Sequence, residues 1–142
     1  MRDTVPPYEF VDHTADLGIS LSAPDEAALF ESAALAMFDI LSDITRVDPA
    51  VERRIVVSGV DTEDLLVGWL GELLSLRDAK GLLFRRFRVD TLSATKLEAT
   101  VWGEMYDPAR HVLKGDLKAV THHAAQVART AGGWRGRVIF DV

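Results

Sequence analysis

The sequence predicts an α+β protein, with one or more antiparallel sheet layers and two main helices packed on one side. Two observations lead there. Two long stretches carry apolar residues at helical spacing. The other apolar runs are short, β-patterned and mostly joined by hairpin-sized connections, which favours antiparallel pairing.

The elements follow in order. "YEFVDH" and "LGISLSA" read as two short strands around a polar break. "SAPDEAALFESAALAMFDILSD" reads as a helix: Pro24 suits its first turn, and Asp25 and Glu26 complement the positive end of the dipole. Leu29, Ala33, Ala36, Met37, Ile40 and Leu41 make its core face. "ERRIVVSGV" has the β-branched weight of a strand. Asp61 can cap the second helix, "DTEDLLVGWLGELLSLRDAK", where Leu66, Trp69, Leu70, Leu73, Leu74 and Arg77 keep the same period. From Gly81 the pattern is β. "LLFRRFRVDTLSATKLEATVWGEMY" reads as a hairpin whose second arm alternates Leu97, Ala99 and Val101 with Lys96, Glu98 and Thr100. "DPARHVLKGD" is a loop, and "LKAVTHHAAQVAR" and "WRGRVIFDV" are strands joined through "TAGG".

A chain of 142 residues with no repeat and no low-complexity linker is expected to form a single domain over 1–142. Its net charge of −6 gives it no overall attraction for phosphate backbones, so no strong direct nucleic-acid binding is expected. There is no cysteine, which removes disulfides, thiolate nucleophiles and cysteine-type zinc sites, and fits a reducing compartment. "MRDTVPPYEF" lacks the apolar core of a signal peptide, and no apolar run approaches a membrane span. A cytoplasmic protein without membrane association is the resulting expectation.

Three segments could carry chemistry. In "VDHTADLGISL" two carboxylates and an imidazole crowd into five residues. One reading is a turn whose Asp12 and Thr14 cap backbone amides. The other is a hard-cation site for calcium, magnesium or manganese, with His13 as ligand or orienting donor. In "IFDV" Asp141 stands beside the α-carboxylate of Val142, and these oxygens would join Asp16 if their strands were neighbours. In "HVLKGDLKAVTHH", Lys114, Lys118, His122 and His123 could form a small positive cluster with His111, or an edge strand with solvated lysines. On a strand, His122 and His123 would face opposite ways, against one shared zinc. The arginines of "FRRFRV" read as partners of acidic neighbours in preference to an RNA surface. No phosphate-binding glycine loop, dinucleotide fingerprint, HExxH pair or serine elbow is present, so the chain shows little catalytic machinery of its own.

The sequence resembles the archease family. The resemblance rests on "YEFVDHTADLGI", "LFESAALAMFDIL", "LLVGWLGELLSLRDAKGLLFRRF", Gly103-Glu104, "LKAVTHH" and "VIFDV", in order across essentially the whole chain. It implies a non-enzymatic accessory protein of the GTP-dependent, RtcB-type tRNA-splicing ligase. Such a protein promotes guanylylation of the ligase's active-site histidine and multiple turnover through a bound divalent metal. Calcium is the first expectation, with manganese or magnesium as alternatives. The matching ligand positions are Asp16, Asp141 and an oxygen of Val142. His13 would orient the site, Asp12 is a candidate neighbour, and Lys118 and His123 would face the partner. "THH" departs from the commoner Thr-Tyr-His, while His123 keeps the matching place. Some archaeal members are described as chaperones of a tRNA cytosine methyltransferase, which gives the alternative function and partner.

Overall fold

The computed structural model describes residues 5–11 and 16–142. Among them, strands β1 (Tyr8–Val11) and β2 (Leu17–Ala23) precede helix α1 (Glu26–Leu41) and a 3₁₀ turn at Ile44–Arg46. Strand β3 (Val51–Ser58), helix α2 (Thr62–Lys80), β4 (Leu82–Leu92), β5 (Lys96–Met105), β6 (Ala119–Thr130) and β7 (Gly133–Asp141) follow. The strands form two antiparallel sheets, ordered β1-β2-β7-β6 and β3-β5-β4.

Each sheet carries the helices on one of its faces, in keeping with the expected α+β class. The two sheets use opposite sides of the same helical layer. Helix α1 packs on β2 and β7 of one sheet and on β4 of the other. Its residues from Ala28 to Phe38 are therefore buried without a break. The single core face expected from periodicity underestimates this: Phe30, Leu35 and Phe38 are buried as completely as Leu29 and Met37. Phe38 meets Phe84 edge-on at 5.6 Å, and Trp69 meets Phe87 edge-on at 6.3 Å. Each such pair adds about 0.5–1.5 kcal/mol beyond burial.

Polar groups inside the layer find partners across it. The Trp69 indole N–H donates to the Phe30 carbonyl at 2.9 Å, tying α2 to α1. β4 is irregular between Val89 and Thr91, and the Val89 N–H donates to the Glu31 carboxylate of α1 at 2.9 Å. The Val127 N–H of β6 likewise donates to Glu63 of α2 at 2.9 Å. The buried Glu31 and the half-buried Glu63 thus serve as acceptors for sheet amides.

The helix ends obey local chemistry, with one correction. Asp61 accepts from the Asp64 N–H at 2.8 Å, and Gly81 closes α2 in the left-handed conformation at φ 69°. That conformation favours glycine. In α1, Asp25 is the N-cap, accepting from the Ala28 N–H at 2.8 Å. Pro24 therefore lies before the helix and not in its first turn, because the Asp25 carboxylate accepts from a free first-turn amide and so sets the N-cap one residue after Pro24. No described helix is long and apolar enough to cross a membrane.

Gly103 is paired with Phe84 of β4, beside the irregularity between Phe84 and Arg86. A Cβ there would run into the Leu83 carbonyl oxygen and the Phe84 Cα, which are backbone atoms and cannot rotate away. Gly103→Ala is expected to destabilise the fold by about 3 kcal/mol, as over-packing does. Urea denaturation checks this; a loss below about 1 kcal/mol would show that β4 shifts freely.

Candidate functional site at the end of the four-stranded sheet

β2 and β7 are neighbours, in a register that ends with Leu17 opposite Phe140. Asp16 immediately precedes β2 and Asp141 terminates β7, so the two carboxylate residues lie at the same end of adjacent strands. β6 completes the arrangement. Ala119 is opposite Asp141, and the Lys118 N–H donates to the Asp141 carbonyl at 2.8 Å. Three strands thus hold this sheet end, and the exposed Val142 follows directly.

These donors suit a hard cation, which takes carboxylate and carbonyl oxygens. Among the described residues, no group of three or more His, Cys, Asp or Glu side chains is placed to hold a metal ion. Asp16 and Asp141 could contribute two carboxylates, and an oxygen of Val142 would be the third donor. Asp12 and His13 lie outside the described residues. The donor chemistry fits calcium, magnesium or manganese. The ligand count requires water or further residues to complete a shell.

The other candidate residues do not assemble into one positive cluster. His111 is buried in the loop after β5: its Nδ1 accepts from the Asp107 N–H at 2.8 Å and its Nε2 lies 3.2 Å from Glu104 Oε1. Lys114 pairs with Asp39 at 3.5 Å. Lys118 lines a hollow of about 210 Å³ beside α2, with Leu74, Ser75 and Asp78. His122 lies 2.8 Å from Asp64. Asp64 is held below the usual carboxylate range, first by the Val60 N–H and then by His122. The positive residues are separated because each has a different acidic or backbone neighbour. His122 and the exposed His123 fall where the β6–β7 ladder is interrupted between Thr121 and Gln126, and Ala124 is left-handed at φ 54°. The simple alternation of a regular strand therefore does not govern them.

Two features escaped the sequence reading. The first is the anchor around Glu104. Arg110 donates to both of its carboxylate oxygens and to Asp48, and the Asp48 N–H donates to it as well. "GEMYDPARH" holds acid, arginine and histidine close in sequence, but only the folded loop buries Glu104 and His111 and lays the exposed Arg110 over the carboxylate. The second is on β7, where Arg135 and Arg137 alternate with core residues Val138 and Phe140 and so occupy the outer face. "WRGRVIF" contains that alternation in plain view.

The "FRRFRV" arginines are engaged in two ways. Arg88 pairs with Asp90 at 2.6 Å and lies over Trp102. Arg85 donates to the carbonyls of Thr45 and Val47 instead of to an acid.

Comparison with known proteins gives one consistent result. Residues 8–142 match the model of the Archease protein family (MTH1598/TM1083). The archease of Methanosarcina mazei is 35% identical over 139 residues, covering 95% of each chain. That of Pyrococcus abyssi is 35% identical over 139 residues, covering 95% of this chain and 98% of its own. The solution structure of Methanobacterium thermoautotrophicum protein 1598 superposes with a TM-score of 0.81 at 36% identity, over 95% of this chain and 98% of that one. A crystal structure from Thermotoga maritima, described as an archease and possible chaperone, has a TM-score of 0.65 at 20% identity over the full length of both chains, and at that identity shares the fold.

The Glu104 anchor has a pH signature. Arg110 holds the Glu104 carboxyl below its usual range, aided by the Asp48 N–H and opposed by burial. A carboxyl whose folded-state value is depressed contributes stability above its ordinary range and loses it as pH falls through the depressed value. Glu104→Gln is therefore expected to lose about 1–3 kcal/mol at neutral pH. The gap from wild type should narrow on acidification, measured by urea unfolding across the acid range. A gap that is constant with pH would contradict the assignment.

Proposed function

This chain belongs to the archease family, and from that premise we propose that it is a metal-dependent accessory protein of a GTP-dependent, RtcB-type tRNA-splicing ligase. It promotes guanylylation of the ligase's active-site histidine and so sustains repeated turnover, without being an enzyme itself. The observation that carries this reading is the placement of Asp16 and Asp141 at one end of adjacent strands β2 and β7.

Asp16, Asp141 and an oxygen of Val142 would hold the cation. When bound, a divalent cation near a triphosphate neutralises charge that develops during nucleotidyl transfer. The chain's own contribution is positional. The Lys118 N–H fixes the Asp141 carbonyl, and the β2–β7 ladder fixes the approach of Asp16. This division of labour explains how an acidic protein serves an RNA enzyme, since activation does not require it to hold the RNA through its overall field. His13 and Asp12 would adjust the site, and Lys118 and His123 would meet the ligase.

A second reading, a chaperone of a tRNA cytosine methyltransferase, draws support from apolar exposure in the segment from the end of β5 to the β5–β6 loop. Met105, Tyr106, Val112 and Leu113 are all exposed there. Tyr106 and Leu113 share a hollow of about 270 Å³ with Leu83. Exposed apolar groups of this kind suit contact with another protein.

Single-turnover guanylylation of the ligase, with and without this protein, tests the first reading. Asp16→Ala is expected to abolish activation and to weaken metal binding in calorimetry, with stability changed by about 0.5 kcal/mol or less. Full activation by Asp16→Ala at low metal concentration would refute the assigned role. Lys118→Ala is expected to bind metal like wild type and to activate poorly, because its side chain lines the α2 hollow while its backbone serves Asp141. A large loss of metal affinity in that variant would place Lys118 inside the metal site.

A further inference from the structure

We propose that the outer face of the four-stranded sheet carries a phosphate-binding site built on Arg135 and Arg137, which takes the phosphates of a nucleotide or of a single RNA strand. The two residues alternate along β7, with their guanidiniums on the face turned away from the helices. Across the ladders, Arg135 is opposite Ser22 of β2 and Ala128 of β6, and Arg137 is opposite Ser20 and Gln126. A serine hydroxyl thus flanks each arginine, and the Gln126 amide flanks Arg137. A hollow of about 440 Å³ opens over them, lined by Glu9, Val11, Ser20 and Gln126 together with the pair. An adjoining hollow of about 340 Å³ shares Glu9, Ser20 and Arg135.

Charge separates this pair from most other arginines. Arg46, Arg54, Arg77, Arg88 and Arg110 each reach a carboxylate. Among the described residues, neither Arg135 nor Arg137 makes a salt bridge or a side-chain hydrogen bond, and the Arg137 Nε is buried without a partner. Two like charges about 7 Å apart along one strand repel each other and gain from an oxyanion placed between them. In a chain of net charge −6, leaving that pair uncompensated points to an anion from outside.

The carboxylate in the hollow is Glu9. Its β1 position is opposite Ser20, which is opposite Arg137, so it stands two strand spacings, about 10 Å, from the arginine's strand. There it repels any anion that approaches it, peptide or phosphate alike, and can accept from a ribose hydroxyl, which favours a nucleotide-type ligand whose phosphates sit at the arginines and whose sugar faces Glu9. Asp141 is on the same strand, four residues or about 13 Å beyond Arg137. Two arginines give weak, salt-sensitive binding, which the chain's net charge does not forbid.

The test needs neither ligase nor metal, so its failure would leave the accessory reading untouched. Binding of a short fluorescein-labelled oligouridylate is followed by anisotropy, and binding of GTP by calorimetry, both in EDTA at low salt. The wild type is expected to bind at least one probe. The double variant Arg135→Gln/Arg137→Gln should bind at least about tenfold more weakly, and for the RNA the log–log salt slope should fall by about 1.4, two contacts at about 0.7 each. RNA bound without GTP identifies a strand site; GTP bound as tightly as RNA identifies a mononucleotide site. Arg53→Gln, on the other sheet, should bind like wild type. If the double variant fails to fold by circular dichroism, Ser22→Glu, at an exposed position beside Arg135, should weaken binding in its place. The proposal is overturned if wild type binds neither probe, if the folded variants bind like wild type, or if a polyglutamate peptide binds and the phosphate probes do not.

Discussion

Helix α1 is buried from Ala28 to Phe38 without interruption, and a helix can be covered on every side only if separate layers pack against it at once. The two sheets and α2 supply that cover. β2 and β7 lie against α1 from one side, β4 from the other, and the Trp69–Phe30 hydrogen bond holds α2 alongside. Removing either sheet would expose large apolar side chains of α1 to water, at roughly 1.5–3 kcal/mol each. The chain therefore cannot be divided into a helical half and a strand half, and one continuous core draws on both sheets.

That constraint governs where charge can go. Carboxylates that enter the helical layer serve as acceptors for strand amides, as Glu31 does for Val89 and Glu63 for Val127. Other charge lies in the loops, at the helix surfaces and on the outer faces of the sheets, and the two outer faces differ. On the three-stranded sheet, Arg88 is matched by Asp90 and stacks over Trp102, and the Trp102 indole N–H donates to Glu52. On the four-stranded sheet, carboxylates gather at one end and the Arg135–Arg137 pair stands nearby without an acidic partner among the described residues. The chemistry with capacity for a ligand is thus concentrated on the sheet whose central strands are β2 and β7.

Glycine makes that face possible at one position. A Cβ on Gly18 would come within 2.8 Å of Ile139 Cδ1 and 3.2 Å of Val11 Cβ. The missing side chain lets Ile139 lie across β2 and close the surface between the carboxylate end and the arginines. A short apolar strip therefore separates the two polar regions of the face.

By itself the sequence determined the elements, because periodicity and capping act over a few residues. The Asp61 cap, the Gly81 stop, the alternating arm Leu97–Ala99–Val101 and the strand ending in "IFDV" are local properties, and the structure has each of them. The same locality explains the misreadings. Periodicity shows one apolar face of α1, whereas burial of its other faces depends on a second sheet contributed by distant residues. The start of α1, read at Pro24, is set instead by the single hydrogen bond from the Ala28 N–H to Asp25. Only the tertiary structure decided that β2 lies beside β7, and with it that Asp16 and Asp141 share one sheet end and that Arg137 stands between Ser20 and Gln126. Strand pairing between segments at opposite ends of a chain follows from which apolar faces bury together, and no local spacing encodes it.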